Sequence, residues 1–270
     1  MIRPGKWAAG EGGQMSEDEE PILYSAEGPV ARITLNRPEK RNALNDVLID
    51  GLKRCLNRAD HDQAVRVIVI GGTGPDFCSG ADLEALQRIS QAPVAQNLGD
   101  ARSLMDLFTL IRRTGVPVIA AVRGRALAGG CGLASACDLV LAASSARFGY
   151  PEVKIGFVPA MVTAILRRNV SEKRAFELLT RGTELTADEA KHIGLVNQVF
   201  SDELFTSEVE AYARSFETVS RAAVKLTKQL LYQMDGLSFS QALEAGVDVN
   251  VIARLTEDCQ KGIARFLKKE

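Results

Sequence analysis

The chain has 270 residues, of which 46% are hydrophobic and 25% charged, so it carries enough apolar side chain to bury in a folded core. Its 33 lysines and arginines are balanced by 34 aspartates and glutamates, which argues against a protein that binds nucleic acid through bulk positive charge. The longest apolar runs, such as Val116–Val122, are too short to span a bilayer. We therefore expect neither a nucleic-acid partner nor a membrane partner.

The chain divides into three parts by its residue patterns. Residues 1–20 combine four glycines with an acidic run and have no apolar stretch, so we expect a disordered leader. Between residues 21 and 201, runs typical of strands alternate with helical periodicity, which predicts an α/β core. From residue 202 to 270 the periodicity is helical only, which predicts a C-terminal helical region.

In chain order, the predicted elements begin with a hairpin around Gly28-Pro29, between Ile22–Ser25 and Val30–Leu35. A helix follows that Asn45 or Asp46 caps, because apolar residues then recur at helical spacing. Asp82 opens another helix. The later predicted elements are a long helix over 96–113, the buried strands Val65–Ile70, Val116–Val122, Leu139–Ala142 and Leu195–Phe200, and helices capped by Ser171 and Ser201.

The cysteines and histidines argue against several kinds of site. Five cysteines lie at irregular spacing with no Cys-x-x-Cys pair, so neither a disulfide framework nor a zinc site is predicted. Free thiols indicate a reducing compartment, and we expect a cytoplasmic protein. His61 and His192 are far apart, so we do not expect a nucleophile activated by a histidine base. No metal is predicted.

One feature occurs twice: a buried strand leads through small residues into a predicted helix. Val67–Ile70 is followed by a turn and Phe77–Leu83, and Val118–Val122 is followed by Gly124–Leu133. Such a turn presents backbone N–H groups at a helix N-terminus, where a negatively charged oxygen is favoured. For either loop alone, an ordinary tightly packed turn is the alternative. Neither loop has the spacing of a phosphate-binding motif or a nucleophile elbow.

Together with further segments, the two loops resemble the crotonase superfamily, the enoyl-CoA hydratase/isomerase family. The segments are Leu35–Leu44 (LNRPEKRNAL), Phe77–Leu83 (FCSGADL), Ala128–Ala134 (AGGCGLA), Ala136–Leu139 (ACDL), Phe148–Gly156 (FGYPEVKIG) and Ala187–Val199. The resemblance covers the chain from about Ile22 onwards. It implies an α/β fold, a spiral of βαβ units with a helical C-terminal extension, and assembly into a homotrimer or hexamer.

The resemblance also implies an enzyme that acts on an acyl-CoA thioester. Coenzyme A is then part of the substrate, and no separate cofactor is expected. The backbone N–H groups of Ala81 and Gly129 are expected to hold the thioester oxygen while enolate charge develops on it. Glu152 is expected to transfer the protons.

Other positions are expected to bind substrate. By resemblance these are Arg41, Asp82, Leu83, Gly132, Phe266 and Lys269. Arg41 is the candidate for a phosphate or adenine contact, with a solvated loop arginine as the alternative. Lys268 and Lys269 are expected either to reach CoA phosphates, on a neighbouring subunit, or to form a solvated tail.

The sequence departs from the family pattern at two places, and the first concerns the catalytic glutamates. Hydratases of the family use two glutamates, and here one position holds Glu152 while the other holds Gly132. Hydration needs one proton taken from water and one delivered to C2, which two carboxylates divide between them. A single carboxylate suffices to move a proton between C2 and C4. We therefore expect double-bond isomerisation. One alternative is hydration in which no second glutamate holds the water molecule. The other is a homologue that binds acyl-CoA without catalysis.

The second departure is Ala160–Thr163, which stands where the family commonly has a glycine-rich run. The added bulk is expected to alter the acyl preference, and Met161 is the residue whose replacement by glycine would test this.

Overall fold

The computed structural model describes residues 20–268. The predicted leader up to residue 19 and Lys269 lie outside the described residues. The strands are β1 Ile22–Glu27, β2 Val30–Leu35, β3 Val67–Gly72, β4 Val118–Val122, β5 Arg125–Leu127, β6 Leu139–Ala143, β7 Arg147–Gly149, β8 Glu184–Thr186 and β9 Gln198–Phe200.

Helices account for most of the remaining chain, and no strand follows β9 among the described residues. They are α1 Asp46–His61, α2 Leu83–Ser90, α3 Val94–Arg113, α4 Gly129–Ala136, α5 Ala160–Asn169, α6 Glu172–Arg181, α7 Ala187–His192, α8 Phe205–Arg214, α9 Arg221–Gln233, α10 Phe239–Leu255 and α11 Glu257–Leu267. Within residues 20–268, no helix is long and apolar enough to cross a membrane.

Two sheets organise the core. The larger has the order β1-β2-β3-β4-β6-β9, in which β1 and β2 pair antiparallel and the remaining neighbours pair parallel. The smaller has the order β5-β7-β8. Helices cover both faces of the larger sheet, which explains why its central strands are almost continuously apolar. The resulting architecture is the α/β fold with a helical C-terminal extension that the sequence predicts.

The first predicted elements are confirmed by the structure. Gly28 turns the β1–β2 hairpin with a φ of +61°, a left-handed conformation that glycine adopts without a Cβ clash. Asn45 caps α1, and its side chain accepts a hydrogen bond from the N–H of Leu48 at 3.0 Å. Asp82 caps α2 in the same way, with bonds from the N–H groups of Glu84 and Ala85.

Some sequence predictions require correction. The three short strands β5, β7 and β8 are not indicated by the sequence, because three residues are too few to show an alternating pattern. At the second small-residue loop, the strand β5 lies between β4 and α4, where the sequence predicts only a turn. Ser201 does not cap α8, which begins at Phe205; its hydroxyl accepts a hydrogen bond from the N–H of Leu204 in the preceding turn. Ser171 stands at the N-cap of α6 but makes no side-chain capping bond.

The first C-terminal helices are fastened to the core. On α8, Phe205, Val209 and Ala213 are buried in an apolar cluster with residues of the larger sheet. On α9, the ammonium of Lys228 donates to Asp138 at 2.7 Å and to Thr114 at 2.8 Å, at the start of β6 and the end of α3. In contrast, α10 and α11 leave many large apolar side chains exposed.

Candidate active site

The loop before α2 leaves one backbone donor free. Ala81 forms an isolated bridge with Leu44, in which the N–H of Leu44 donates to the carbonyl of Gly80 at 2.7 Å and the N–H of Asp82 donates to the carbonyl of Leu44 at 2.8 Å. These two bonds lie on either side of Ala81. Among the described residues, the N–H of Ala81 itself has no acceptor.

The loop before α4 reaches the same place in a strained conformation. Ala128 has φ +50° and ψ −126°, a region that residues with a Cβ rarely occupy. Its N–H donates to the carbonyl of Gly149 at 2.8 Å, and its carbonyl accepts from the N–H of Gly132 at 2.9 Å. These bonds hold the turn so that α4 begins at Gly129, whose N–H lies at the helix N-terminus, where N–H groups lack intrahelical partners.

The two loops lie in direct contact. Cys78 and Ala126 form a bridge between them, and the N–H of Leu127 donates to the carbonyl of Cys78 at 2.9 Å. A Cβ atom on Gly129 would lie 3.9 Å from the nitrogen of Ala81. Two backbone donors this close together are compatible with one shared acceptor oxygen, whose charge they would stabilise.

Glu152 is a buried carboxylate without a hydrogen-bond partner on one oxygen. It lies in a short 3-10 helix, Pro151–Ile155, and is 8% exposed. Its Oε2 has no hydrogen-bond partner among the described residues. Burial raises the pKa of Glu152, because desolvation penalises the ionised form. A carboxyl group with a raised pKa is suited both to accept and to return a proton near neutral pH.

A buried polar cluster fastens Tyr150, two residues before Glu152, to α4. The hydroxyl of Tyr150 lies 3.0 Å from that of Ser135, which donates to the carbonyl of Cys131 at 2.7 Å. Burial, with a smaller contribution from the charge of Glu152, raises the pKa of the Cys131 thiol to about 11. Cys131 is therefore protonated at neutral pH, which argues against a role as a nucleophile.

Gly132 has no room for a side chain. A Cβ atom there would lie 2.2 Å from Cγ1 of Val162 and 3.4 Å from Cζ of Phe108. Val162 belongs to the segment Ala160–Thr163, so the two departures from the family pattern meet in space. Met161 is half-buried against the core, and its effect on acyl preference stays a prediction. The structure places Val162 against Gly132, a contact between α4 and α5 that linear sequence does not reveal.

A pocket lies beside Ala81 and Gly129. Its walls come from α1, α2 and α3 and from the loops that precede α1 and α2. The side chains that line it include Leu44, Ile49, Leu86, Ile89, Leu104, Asp46 and Asp100. Burial and the charge of Asp46 raise the pKa of Asp100. The pocket is mostly apolar and has no basic residue in its lining, so it suits a hydrocarbon group.

The residues expected to bind substrate are only partly brought together. Both carboxylate oxygens of Asp82 already have partners within the protein. One oxygen caps α2, and the other lies 3.0 Å from a nitrogen of Arg37. Leu83 is 65% exposed at the start of α2. Arg41 is mostly exposed, with its Nε 3.9 Å from Asp76. Gly132 is packed against Val162 and does not line the pocket.

The described C-terminal residues do not line this pocket in the single chain. Phe266 is exposed on α11 and does not line the pocket beside Gly129. Lys268 lies with Lys261 and Arg265 along the end of α11, and Lys269 lies outside the described residues. Their contact with a substrate stays a prediction that depends on a second subunit.

The other classes of site considered in the sequence are not formed by residues 20–268. No group of three His, Cys, Asp or Glu side chains in this range is arranged to hold a metal ion. His61 lies on α1 with its Nδ1 2.7 Å from the carbonyl of Asn57, and His192 ends α7. All five cysteines are free.

Comparisons with known proteins identify the family. The sequence profile described as enoyl-CoA hydratase/isomerase matches residues 25–270. A Thermus thermophilus protein that is named as an enoyl-CoA hydratase is 40% identical over 92% of this chain and 98% of its own. The crotonyl-CoA hydratase of Syntrophomonas wolfei is 36% identical over 93% of this chain and 96% of its own.

A solved structure has the same fold. The enoyl-CoA hydratase of Mycobacterium smegmatis superposes with a TM-score of 0.89 at 31% identity, covering 93% of this chain and 98% of that one. The profile match, the level of identity and the paired small-residue loops lead to one conclusion. The chain belongs to the enoyl-CoA hydratase/isomerase family.

Proposed function

We propose that this protein isomerises the double bond of an enoyl-CoA, converting a 3-enoyl to a 2-enoyl thioester, with Glu152 as its single acid and base. One observation carries the proposal. Glu152 is buried and unpaired on one oxygen, while position 132, where a hydratase of the family has its other glutamate, is a glycine packed against Val162.

The chemistry follows from the two loops and the carboxylate. The N–H groups of Ala81 and Gly129 donate to the thioester oxygen, and the Glu152 carboxylate removes a proton from C2. The C2–H bonding electrons delocalise over the 3,4 double bond and the thioester as a dienolate, whose oxygen charge the two donors stabilise. The Glu152 carboxyl group then delivers the proton to C4. The double bond moves from C3–C4 to C2–C3, and the carboxylate is regenerated.

The pocket beside Ala81 is proposed to hold the acyl group, because its lining is mostly apolar. Exposed Arg41 is proposed to contact the phosphates or adenine of coenzyme A, whose charge a guanidinium matches well. Coenzyme A enters as part of the substrate, and the proposal needs no separate cofactor. The cytoplasmic location expected from the free cysteines stays a prediction.

Hydration is the second candidate, because the relatives named above carry hydratase names. In that case backbone groups, in place of a second glutamate, would hold the water molecule that adds to the double bond. The two reactions are distinguished by substrate, since crotonyl-CoA is hydrated directly whereas isomerisation requires a 3-enoyl-CoA. A protein that binds acyl-CoA without turnover would act on neither.

Assembly into a homotrimer or hexamer is part of the proposal. Apolar side chains recur every four residues along the exposed face of α10, at Leu243, Val247, Val251 and Leu255. A stripe of this kind is typical of a helix that packs against another chain. Light scattering on the purified protein measures the mass directly, and Val247→Glu/Val251→Glu should shift it towards the monomer. A monomeric wild-type protein would contradict this part of the proposal.

The reaction is tested by assaying wild type and Glu152→Gln on a 3-enoyl-CoA and on crotonyl-CoA in parallel. We expect wild type to isomerise the first and to hydrate the second poorly. Glu152→Gln should lower isomerisation by about 10²–10⁴-fold, the usual contribution of general acid–base catalysis, while thioester binding persists. Glu203→Gln, an exposed glutamate in the turn before α8, is the matched control. Fast hydration of crotonyl-CoA by wild type would overturn the isomerase proposal.

A further inference from the structure

The positions of Gly132 and Val162 are sterically coupled. A Cβ atom on Gly132 would lie 2.2 Å from Cγ1 and 3.2 Å from Cβ of Val162, and real Cβ atoms essentially never approach within 3.0 Å. Val162 has little freedom to turn aside, because a β-branched residue in a helix has one strongly preferred χ1 rotamer. It is also 4% exposed within the main apolar core. Even an alanine at position 132 therefore requires α4 or α5 to move.

Hydrocarbon fills the volume that a longer side chain at position 132 would enter. Phe108, from α3, contributes the second wall, with its Cζ 3.4 Å from the same Cβ position. The backbone of Gly132 is itself held, because its N–H donates to the carbonyl of Ala128 in the strained turn. The glycine and its two neighbours thus form one packed contact among three helices.

This contact lies on the helix against which the segment that carries Glu152 packs. Just before Glu152, the carbonyl of Gly149 accepts a hydrogen bond from the N–H of Ala128 at 2.8 Å, and the hydroxyl of Tyr150 lies 3.0 Å from that of Ser135 on α4. Oε2 of Glu152 accepts no hydrogen bond from the described residues. A polar side chain at position 132 would project from α4, and Val162 occupies the volume that it would enter.

We propose that Val162 is a specificity-determining residue: together with Gly132 it fills the volume that a second carboxylate, or a water molecule in its place, would need beside Glu152, so that proton transfer along the acyl chain replaces addition of water. The chemical half of this inference rests on the proposed function. The steric half rests on packing alone, so the two halves are tested by separate measurements.

The steric half is tested by a double-mutant cycle in thermal stability with Gly132→Ala, Val162→Ala and the double variant. We expect Gly132→Ala to lower the unfolding midpoint of the full-length protein by about 3–10 °C, because it overpacks the contact. In the Val162→Ala background the same change should cost little or raise the midpoint. Ile165→Ala is the control, because Ile165 is also buried on α5 but is not among the nearest neighbours of Gly132. Its effect on the unfolding midpoint should add to that of Gly132→Ala. An additive cycle with Val162→Ala would overturn the steric half.

The chemical half is tested by Gly132→Glu/Val162→Gly, with Gly132→Gln/Val162→Gly as the matched control. Both pairs restore space, but only the first adds a carboxylate. We expect the first to hydrate crotonyl-CoA at least about 10-fold faster than wild type, since a general acid–base group typically contributes more than this, and the glutamine pair to show no gain. A folded Glu/Gly variant with hydration at the wild-type level would overturn the chemical half.

The two proposals fail in different ways. If wild type already hydrates crotonyl-CoA rapidly, the isomerase function is wrong and Val162 does not suppress hydration, while the stability cycle still decides whether the two positions are coupled. If wild type isomerises but the Glu/Gly variant gains no hydration, the proposed function stands and the role of Val162 in specificity is wrong.

Discussion

The backbone nitrogen of Ala81 lies 3.9 Å from the position that a Cβ atom on Gly129 would occupy, and the nearest atom to that position, Cδ1 of Leu44, lies 3.5 Å from it. Both distances are ordinary van der Waals separations, so a methyl group fits at position 129 without strain. It would, however, add bulk within 4 Å of the Ala81 nitrogen, where the thioester oxygen is proposed to bind.

Gly129→Ala should therefore fold normally and lose activity. We expect a fall of about 10²–10³-fold in kcat, the effect typical of losing an oxyanion donor, with an unfolding midpoint within about 2 °C of wild type. Gly130→Ala is the contrasting control, because its Cβ would lie 2.2 Å from the carbonyl oxygen of Cys78, and it should destabilise the fold. Full activity in Gly129→Ala would count against an oxyanion site at these loops.

The rate should fall on the acidic side of neutrality. Burial raises the pKa of Glu152, and in the proposed reaction this group must be ionised to take a proton from C2. Isomerisation should therefore decline as pH falls through a value above about 4.3, the usual pKa of a glutamate. A pH–rate profile of kcat/KM measures this pKa in the free enzyme. A profile that stays flat down to pH 4 would show that a group other than Glu152 limits the reaction.

The same raised pKa predicts how stability depends on pH. The folded protein holds the Glu152 proton more tightly than the unfolded chain, so stability falls as pH rises through the folded-state pKa. Glu152→Gln stays neutral, so it should become more stable than wild type towards pH 8 and match it near pH 4. Urea unfolding of the two proteins across this range measures the difference. A difference that does not change with pH would contradict the assignment.

Lys228 should be the strongest single anchor of α9. Its ammonium also donates to the carbonyls of Ile111 and Val116, and burial lowers its pKa despite the partly opposing effect of Asp138. Lys228→Met removes these bonds and leaves Asp138 without its buried cation, which should cost about 3–5 kcal/mol of unfolding free energy. Lys225→Met, an exposed lysine on the same helix, is the control in urea unfolding. A loss equal to that of the control would refute the anchoring role.

The sequence by itself predicts features that local chemistry specifies. The hairpin at Gly28, the Asn45 and Asp82 helix caps and the apolar strands β3 and β4 each depend on residues within a few positions of one another. The family resemblance is of the same kind, because the two small-residue loops keep their motifs in consecutive residues. The short strands β5, β7 and β8 were missed, since only pairing with distant partners makes three residues a strand.

The site was decided by contacts between distant segments. That Ala81 and Gly129 are adjacent, that Glu152 is buried without a partner on one oxygen, and that Val162 fills the space beside Gly132 all depend on how helices and loops pack. The absence of a glutamate at position 132 can be read in the sequence. Whether that position is an open space for water or a packed contact is a question of volume, and only the tertiary structure, which brings α5 and α3 against α4, answers it.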